Sequence, residues 1–564
     1  MMKNSIYSFA ALVFLLNGFM GSTDFPGSVR SGDKLIKSHD PVQDLKPTAS
    51  IVYPGTDGRL VYVADSLGNK IPDFSNAGYK GGGVPIPYVA IKKVVWPVLG
   101  DNSARIQAAI DSVSALPLDA SGFRGAVLLK MGIYELEKPV NIKASGVVLR
   151  GEGTSDIGTI LIGKIPKDRQ AFGRGGLVNI SGTKAISPQE DTKQTITDKY
   201  VPVGSRSFNV VSAKGFKVGD KILVRRIGNQ DWIKAIGEDS VAAGRNRWRP
   251  FNITYDRIIV DIKGNTITTD VTIFTAIETR WGGGEILKYS DERIEQVGVE
   301  NLRGISEFNP SVRTRTYGNM DRDKLDPKFQ YQGEEYYSDE NHVSNFVVIS
   351  NSKNVWVRNI SALHFVTSVV LSNAGSKWIT VQDCESREPV SPRVGGRRFI
   401  YQMNGQLCLV QRCFSQKGRH SFVLQGSESS GNVYRDCQAV NPYSTSEPHN
   451  RWVNGVLYDN VKAPLTARYW DYIIGWAGAN IVFWNCEGDF LVQSPPTAKN
   501  YSFGHIGVNA VIFNAGLQDL AKPNGHVESM DYHVTPRSLY LTQLKERLGE
   551  WAVTNIARKD QTIE

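Results

Sequence analysis

Beyond residue 22 the chain holds no apolar run approaching the roughly 20 residues that a membrane-spanning helix requires, so integral membrane association is not expected. Cysteine is scarce, five in 564 residues, and every one lies after position 383, which leaves no lipid-attachment cysteine near the N-terminus. No His-x-x-x-His and no Cys/His spacing that would make a tetrahedral set occurs, so zinc is not expected. Neither sign of charge prevails strongly: 65 Lys+Arg face 56 Asp+Glu, a net of +9. A positive field favours anionic partners, but so small a surplus does not choose among them. With 41% hydrophobic and 21% charged residues the chain is not a mostly disordered one. It is too long for one compact domain of about 100–200 residues, which leaves several domains or one elongated, repetitive fold.

The N-terminus reads Met1, Met2, Lys3, then a largely apolar run from Ile6 to Phe19, then Gly21 and Ser22. A positive start, a short apolar stretch and small exit residues describe a secretory signal peptide over 1–22, so the mature protein is expected to be exported, periplasmic or extracellular. An exported chain invites a search for disulfides, but the contexts here oppose them. Cys384, Cys413, Cys437 and Cys486 each close a β-rich run ("WITVQDC", "CLVQRC", "NVYRDC", "IVFWNC"), where alternation puts them on an apolar face. They read as reduced core residues stacked on one another, with Cys408 alone at the start of one such run.

The polar residues closing these runs form a register: Asn359, Asp383, Arg412, Asp436, Asn460 and Asn485, at gaps of 24, 29, 24, 24 and 25 residues. Short β runs repeating at this period without helical periodicity mean a solenoid of stacked coils. The expected fold class is all-β, a right-handed parallel β-helix with coils of about 24 residues. The long gap marks a loop insertion near "REPVSPRVGGRRF". Over 91–164 the solenoid begins, and "NSARIQAAIDSVSAL" (102–116) spaces Ile106, Ile110, Val113 and Leu116 helically, with Asn102 or Ser103 as N-cap. That helix would plug the open end, covering edges that would otherwise aggregate. The remaining divisions are an N-terminal extension (23–90), an inserted small β subdomain (165–290), the main β-helix with its site loops (291–515) and a C-terminal tail (516–564). Within these, the subdomain has hairpin-like segments at 199–228 and around Gly264-Asn265, the main helix a second insertion at 306–340, and the tail a short helix around "SLYLTQLKERLGEW".

The stretch "GDNSARIQAAIDSVSA…GAVLLKMGIYELEKPVNIKASGVVLRGEG" (100–153), together with the coils from 354 onward, resembles the pectate-lyase-like superfamily of exported, right-handed β-helix proteins. The resemblance covers about two thirds of the chain. It implies the fold and leaves the reaction open, since lyases, hydrolases, epimerases and phage tail proteins share that scaffold. The Asp-Asp and Arg-Ile-Lys motifs of its polygalacturonase-like hydrolases are absent, and "GHI" at 504–506 is the nearest echo of their Gly-His-Gly. The Arg-x-Pro-x-x-Arg of its best known lyases is approached by Arg387-Glu-Pro389-Val-Ser-Pro-Arg393, one residue too long.

Charge density marks a candidate site. From Arg387 to His420 seven basic residues (Arg387, Arg393, Arg397, Arg398, Arg412, Lys417, Arg419) face one acid, Glu388, a surplus of +6. Arg412 reads as a ladder rung between Asp383 and Asp436, whereas Arg397, Arg398 and Arg419 follow glycines at loop-to-strand transitions. His364, His420 and His449 recur in comparable parts of successive coils. Aromatics between Tyr443 and Trp484, near "EPHNRW" and "RYWDYIIGW", would offer faces for sugar rings beside arginine forks that hold carboxylates. The expected function is cleavage of an acidic, uronic-acid-containing polysaccharide or oligosaccharide by β-elimination, which needs a neutralised carboxylate, a base and an acid. Arg397 or Arg398 would clamp the carboxylate and His420 or Arg419 would act as base, with Arg398 counted among the catalytic set. His364, His449, Arg451, Trp452 and Tyr443 would line the subsites. Calcium, which the superfamily often uses, could replace an arginine in neutralisation, with Glu385, Glu388, Asp339 and Glu340 as candidate ligands. A glycoside hydrolase would need a carboxylate pair, drawn from Asp339, Glu340, Glu385 and Glu447, and a non-catalytic glycan-binding protein would need no base. Nucleic acid is not an expected partner, and a monomer is.

Overall fold

The computed structural model describes residues 47–166, 175–239, 248–315, 335–470, 474–509 and 521–558. The signal peptide read at 1–22 lies outside the described residues, as do the centre of the 306–340 insertion and the first residues of the 516–564 tail.

Strand pairing fixes the architecture. Lys353 pairs with Lys377, Val381 with Val410, Val410 with Tyr434, Val433 with Leu457 and Leu457 with Val482, all in parallel, at offsets of 24, 29, 24, 24 and 25 residues. A parallel ladder in which each residue meets the one a coil later arises only by winding, so the fold is an all-β parallel β-helix. A full coil carries three strands, as in Lys377–Gln382, Glu385–Arg387 and Phe399–Met403. The first two belong to one long sheet bent around the coil. The third belongs to a second sheet of seven parallel strands, which ends with Phe399–Met403, His420–Gln425 and Glu447–Asn450.

The six register residues are the bends of the long sheet. Asn359, Asp383, Arg412, Asp436, Asn460 and Asn485 all have φ between 48° and 56°, the left-handed region where Asn and Asp are enriched. A second left-handed series runs through Asn354, Trp378, Leu407, Gly431, Gly455 and Asn480 at the same spacing. Its two glycines lie under Phe274, whose ring atoms would stand 2.2 Å from a Cβ at Gly455 and 2.7 Å from one at Gly431.

Inside the coils like residues stack. Cys384, Cys413, Cys437 and Cys486 are free and buried, and each S–H points at a carbonyl of the coil before, those of Val357, Val381, Val410 and Tyr458. Helix α1 (Ser103–Ser114) lays Ile106, Ile110 and Val113 on the first coil. Asn102 precedes it, but its side chain turns back to Val98 and Gly100, and Asp101 accepts from the Ser103 N–H instead.

The inserted subdomain is smaller than the sequence reading made it. Gly176–Ser181 joins the second sheet of the solenoid, so the insertion runs from Ile186–Pro188 to Gly284–Asp291 as an antiparallel sheet. Gly264-Asn265 turns the hairpin between Ile253–Lys263 and Thr266–Thr269. The 199–228 segment forms no hairpin of its own, because Tyr200–Val201, Ser207–Asn209 and Lys221–Arg226 all pair with strands after residue 252. A buried ion cluster fastens the subdomain to the coils: Asp256 meets Lys377 Nζ at 3.0 Å and Arg293 Nη2 at 2.6 Å. Burial opposes its charge, but Lys377 and Arg293 hold the Asp256 carboxyl well below the usual range. Helix α2 (Gln230–Ala235) adds Trp232, whose ring sits 5.0 Å from that of Trp452. Helices α3 (Leu539–Leu548) and α4 (Glu550–Ile556) close against the segment 72–83: Gln543 accepts from Phe74 N–H, and Arg547 donates to Ser75 and Gly81.

Candidate functional site

Three neighbouring strands of the second sheet bring their side chains together. Phe399 and His420 occupy paired positions, Glu447 and His449 come from the next strand, and Arg468 and Trp470 from the chain that follows. Glu447 is the hub. Its Oε2 accepts from Thr445 (2.7 Å), Thr466 (2.6 Å) and Arg468 Nη2 (3.0 Å), and its Oε1 accepts from His449 Nδ1 at 2.8 Å. The two imidazole rings lie 4.7 Å apart, each edge-on to Phe399. Burial pushes the Glu447 carboxyl up, but Arg468 and the two histidines hold it well below the usual carboxylate range, so it stays ionised.

Burial and the nearby Arg419 drive the His420 pKa well below its ordinary value, leaving a neutral ring. Its Nδ1–H donates to Thr445 O at 2.6 Å, so Nε2 carries the lone pair. His449 is also held below its ordinary value, by burial first, with Glu447 pulling the other way. With its Nδ1–H on Glu447, His449 likewise presents Nε2 as an acceptor. Among the described residues, three buried polar atoms around the hub have no hydrogen-bond partner: His420 Nε2, Arg468 Nη1 and Trp470 Nε1. Arg468 stacks 3.6 Å over Trp470. Glu447 thus orients one imidazole that keeps some exposure, with a second, buried imidazole and a guanidinium packed around it.

Several residues read from the sequence stand elsewhere or do other work. His420 has no solvent exposure, whereas His449 keeps 9%, so of the two rings His449 is the one that meets solvent. Arg398 is buried, bonded to Ser391 and Lys417 carbonyls, and burial pushes its pKa down to about 10; it presents nothing to a ligand. Arg397 is held by Glu340, with Nη2 to Oε2 at 2.9 Å. Tyr443 packs under Arg393, 4.0 Å from its guanidinium. His364, in a left-handed bend, leans on Phe308. Trp452 is wholly buried against Trp232 and cannot line a subsite; Tyr469, Trp470 and Trp476 are buried too, so among the described residues of these segments the expected exposed aromatic platform is not there, and Tyr472 lies outside them. Arg451 is exposed, and Arg419 half-buried over Phe399.

The basic surplus is largely answered by nearby carboxylates: Arg387 by Glu385 of its own strand, and Arg397 by Glu340, Arg412 by Asp383 and Lys417 by Glu388 from elsewhere in the stack. Arg412 bonds Asp383 alone of its two expected acids, since Asp436 is taken by Arg435 and Arg537. The candidate calcium ligands are committed in the same pairs, and Asp339 accepts backbone N–H groups of Asn309 and Asn341. What the sequence reading missed was Arg468, which no motif distinguishes, and the role of Glu447, visible only once two coils are stacked.

His420, Glu447 and His449 do place three ligand-type atoms within 4.8 Å of one another, a grouping that in-line spacing concealed. Such donors suit zinc better than calcium. The charge is already met, however: Arg468 grips the carboxylate and Arg419 lies close enough to depress both imidazoles. A dication would enter against two guanidinium groups, and the set fits proton handling better than metal binding.

No family model and no curated protein matches the chain. Among solved structures it is similar to the Gp54 tailspike of Acinetobacter baumannii bacteriophage AP22, crystallised with A. baumannii capsular saccharide, at 12% identity over 74% of this chain and 57% of that one, with a TM-score of 0.40. Tailspike gp49 of Pseudomonas phage LKA1 gives 13%, 72%, 56% and 0.40 for the same measures. The catalytic unit of a GH87 alpha-1,3-glucanase from Streptomyces thermodiastaticus gives 9%, 79%, 70% and 0.32. The chain thus spans less than two thirds of the length of either tailspike. At these scores the fold rests on its own strand pairings, and the site on its own geometry.

Proposed function

We propose that the protein is an exported enzyme that cleaves an acidic polysaccharide by β-elimination, with His449 as the base. The observation that carries this reading is the Glu447–His449 pair at 2.8 Å, backed by Arg468, with the half-buried Arg419 beside it. Glu447 fixes the tautomer of His449 so that Nε2 faces outward with its lone pair. A uronate carboxylate would be neutralised by the half-buried Arg419, with the buried Arg468 adding positive charge behind Glu447, which acidifies the C5 proton and stabilises the enolate-like transition state. His449 Nε2 takes that proton, the C4–O bond breaks as the C4–C5 double bond forms, and the imidazolium can return the proton to the departing oxygen on the same face.

Hydrolysis is less well supported, because Asp339, Glu340, Glu385 and Glu447 are each held by cations or N–H groups of their own and none stands ready as an acid. The test is incubation with a panel of uronate polysaccharides, following the ultraviolet absorbance of the unsaturated product. The wild type should produce it with or without chelator, and His449→Ala should lower the rate by about 100-fold or more. New reducing ends without that absorbance would overturn the elimination reading.

A further inference from the structure

A second place on the molecule is built for a ligand. Where the inserted subdomain meets the coils lies an open pocket of about 590 Å³, lined by Trp248, Arg249 and Phe251 on one side and by Gly426, Ser427 and Arg451 on the other. Both arginines are exposed, and among the described residues neither makes a hydrogen bond or ion pair. That sets them apart from the basic cluster at 387–420, where Arg387, Arg397, Arg412 and Lys417 each have a carboxylate partner. Trp248 is 5% exposed, and its buried indole N–H has no acceptor, a second group here that the fold leaves unsatisfied. Arg451 and Trp452 are consecutive non-glycine residues with φ of 54° and 60°. That costly double bend turns Trp452 inward onto Trp232 while Arg451 stays at the pocket. The pocket is also close to the Glu447–His449 pair along the chain, since Arg451 follows His449 by two residues in the exit of the same strand.

We infer that this joint is a subsite for an anionic sugar unit of the polymer. Arg249 and Arg451 take a carboxylate or sulfate between them, as unpaired guanidinium forks do best. The half-buried Phe251 offers an apolar floor for the sugar ring, and the Trp248 N–H a donor for a hydroxyl. The subdomain then has a function, supplying half of a cleft whose other half is the solenoid. This rests on the acidic-polysaccharide reading above and extends it to a named binding surface.

The experiment is titration calorimetry with three probes of matched length: a galacturonate hexamer, a sulfated galactan hexamer and a neutral galactan hexamer. The wild type should bind an anionic probe and bind the neutral one far more weakly. Arg249→Ala/Arg451→Ala should raise the Kd of that anionic probe tenfold or more and flatten its salt dependence, with Tm unchanged. Loss confined to the galacturonate or to the sulfated probe identifies the group recognised. A double variant that binds the anionic probe as tightly as wild type overturns this subsite and leaves the enzyme proposal standing. A wild type that binds neither anionic probe, or binds the neutral one equally well, overturns the acidic-polysaccharide reading and this inference with it.

Discussion

At the residue scale the site is governed by one buried carboxylate. Its negative charge raises the pKa of His449, against burial that lowers it. The net position lies below 6.5, so a neutral base persists into mildly acid solution and the acidic limb of kcat/KM should fall below that pH. Glu447→Gln removes the raising influence, and the limb should then move to still lower pH. The plateau should drop about tenfold or more because the imidazole tautomer is no longer held; a pH–rate profile of both proteins measures this. Stability follows the same groups. His420 and His449 bind protons more readily in the unfolded chain, so their contribution is full above about pH 6.5 and is lost as pH falls. Glu447 is held below its ordinary 4.5, so its contribution is present above that value and is lost on further acidification. Both act in one direction, and Tm should fall steadily from neutral to acid pH.

The residue scale is also where sequence and structure part company. A window of 34 residues from Arg387 to His420 holds a surplus of +6, yet in a solenoid the nearest charges to a residue are a coil away in sequence. Glu340 and Asp383 lie outside that window and answer Arg397 and Arg412. Linear charge density therefore marked arginines whose charge is already answered by carboxylates outside the window. His420 and His449 were legible as recurring imidazoles, but which of them faces outward depends on burial by Phe399 and Trp470, which no spacing encodes.

At the scale of the element, periodicity carried far. The polar residue closing each β run is the left-handed bend of each coil, so the register read from sequence and the ladder offsets agree residue for residue from Asn359 to Asn485. The antiparallel subdomain was less legible because, the Gly264-Asn265 hairpin aside, its strands pair across 27 to 105 residues, with nothing local to mark partners. Its docking explains the two glycines in the second left-handed series. Gly455→Ala would carry the strain of φ 58° and also drive a methyl group into Phe274. Gly264→Ala, with φ 60° and open space around it, carries strain alone. The first should cost about 2–4 kcal/mol and the second about 1 kcal/mol, measured by denaturant unfolding. Asp256→Ala should be worse than either, about 3–5 kcal/mol, since it strands the buried Lys377 without a counter-charge and leaves Arg293 with Asp291 alone.

At the scale of the whole molecule the solenoid is a stack whose pieces touch chiefly their neighbours, with two exceptions. The subdomain grips several coils at once, and the pair α3–α4 binds a segment more than 450 residues earlier in the chain. Arg547 donates to Ser75 Oγ, Ser75 O and Gly81 O, so Arg547→Ala should loosen residues 72–83 specifically. Limited proteolysis should then cut in that segment, while the far-ultraviolet circular dichroism of the coils stays unchanged.

That clasp also sets a clock on biosynthesis. Coils can wind in the order in which they are made, but Phe74, Ser75 and Gly83 gain their partners only when Gln543, Arg547 and Asn555 have been added. At about 5–20 residues per second this is a delay on the order of 30–90 s. Tyr79 docks earlier, on Thr380, so through that delay Phe74 and Ser75 hang from one anchored end until residues 543–547 close over them.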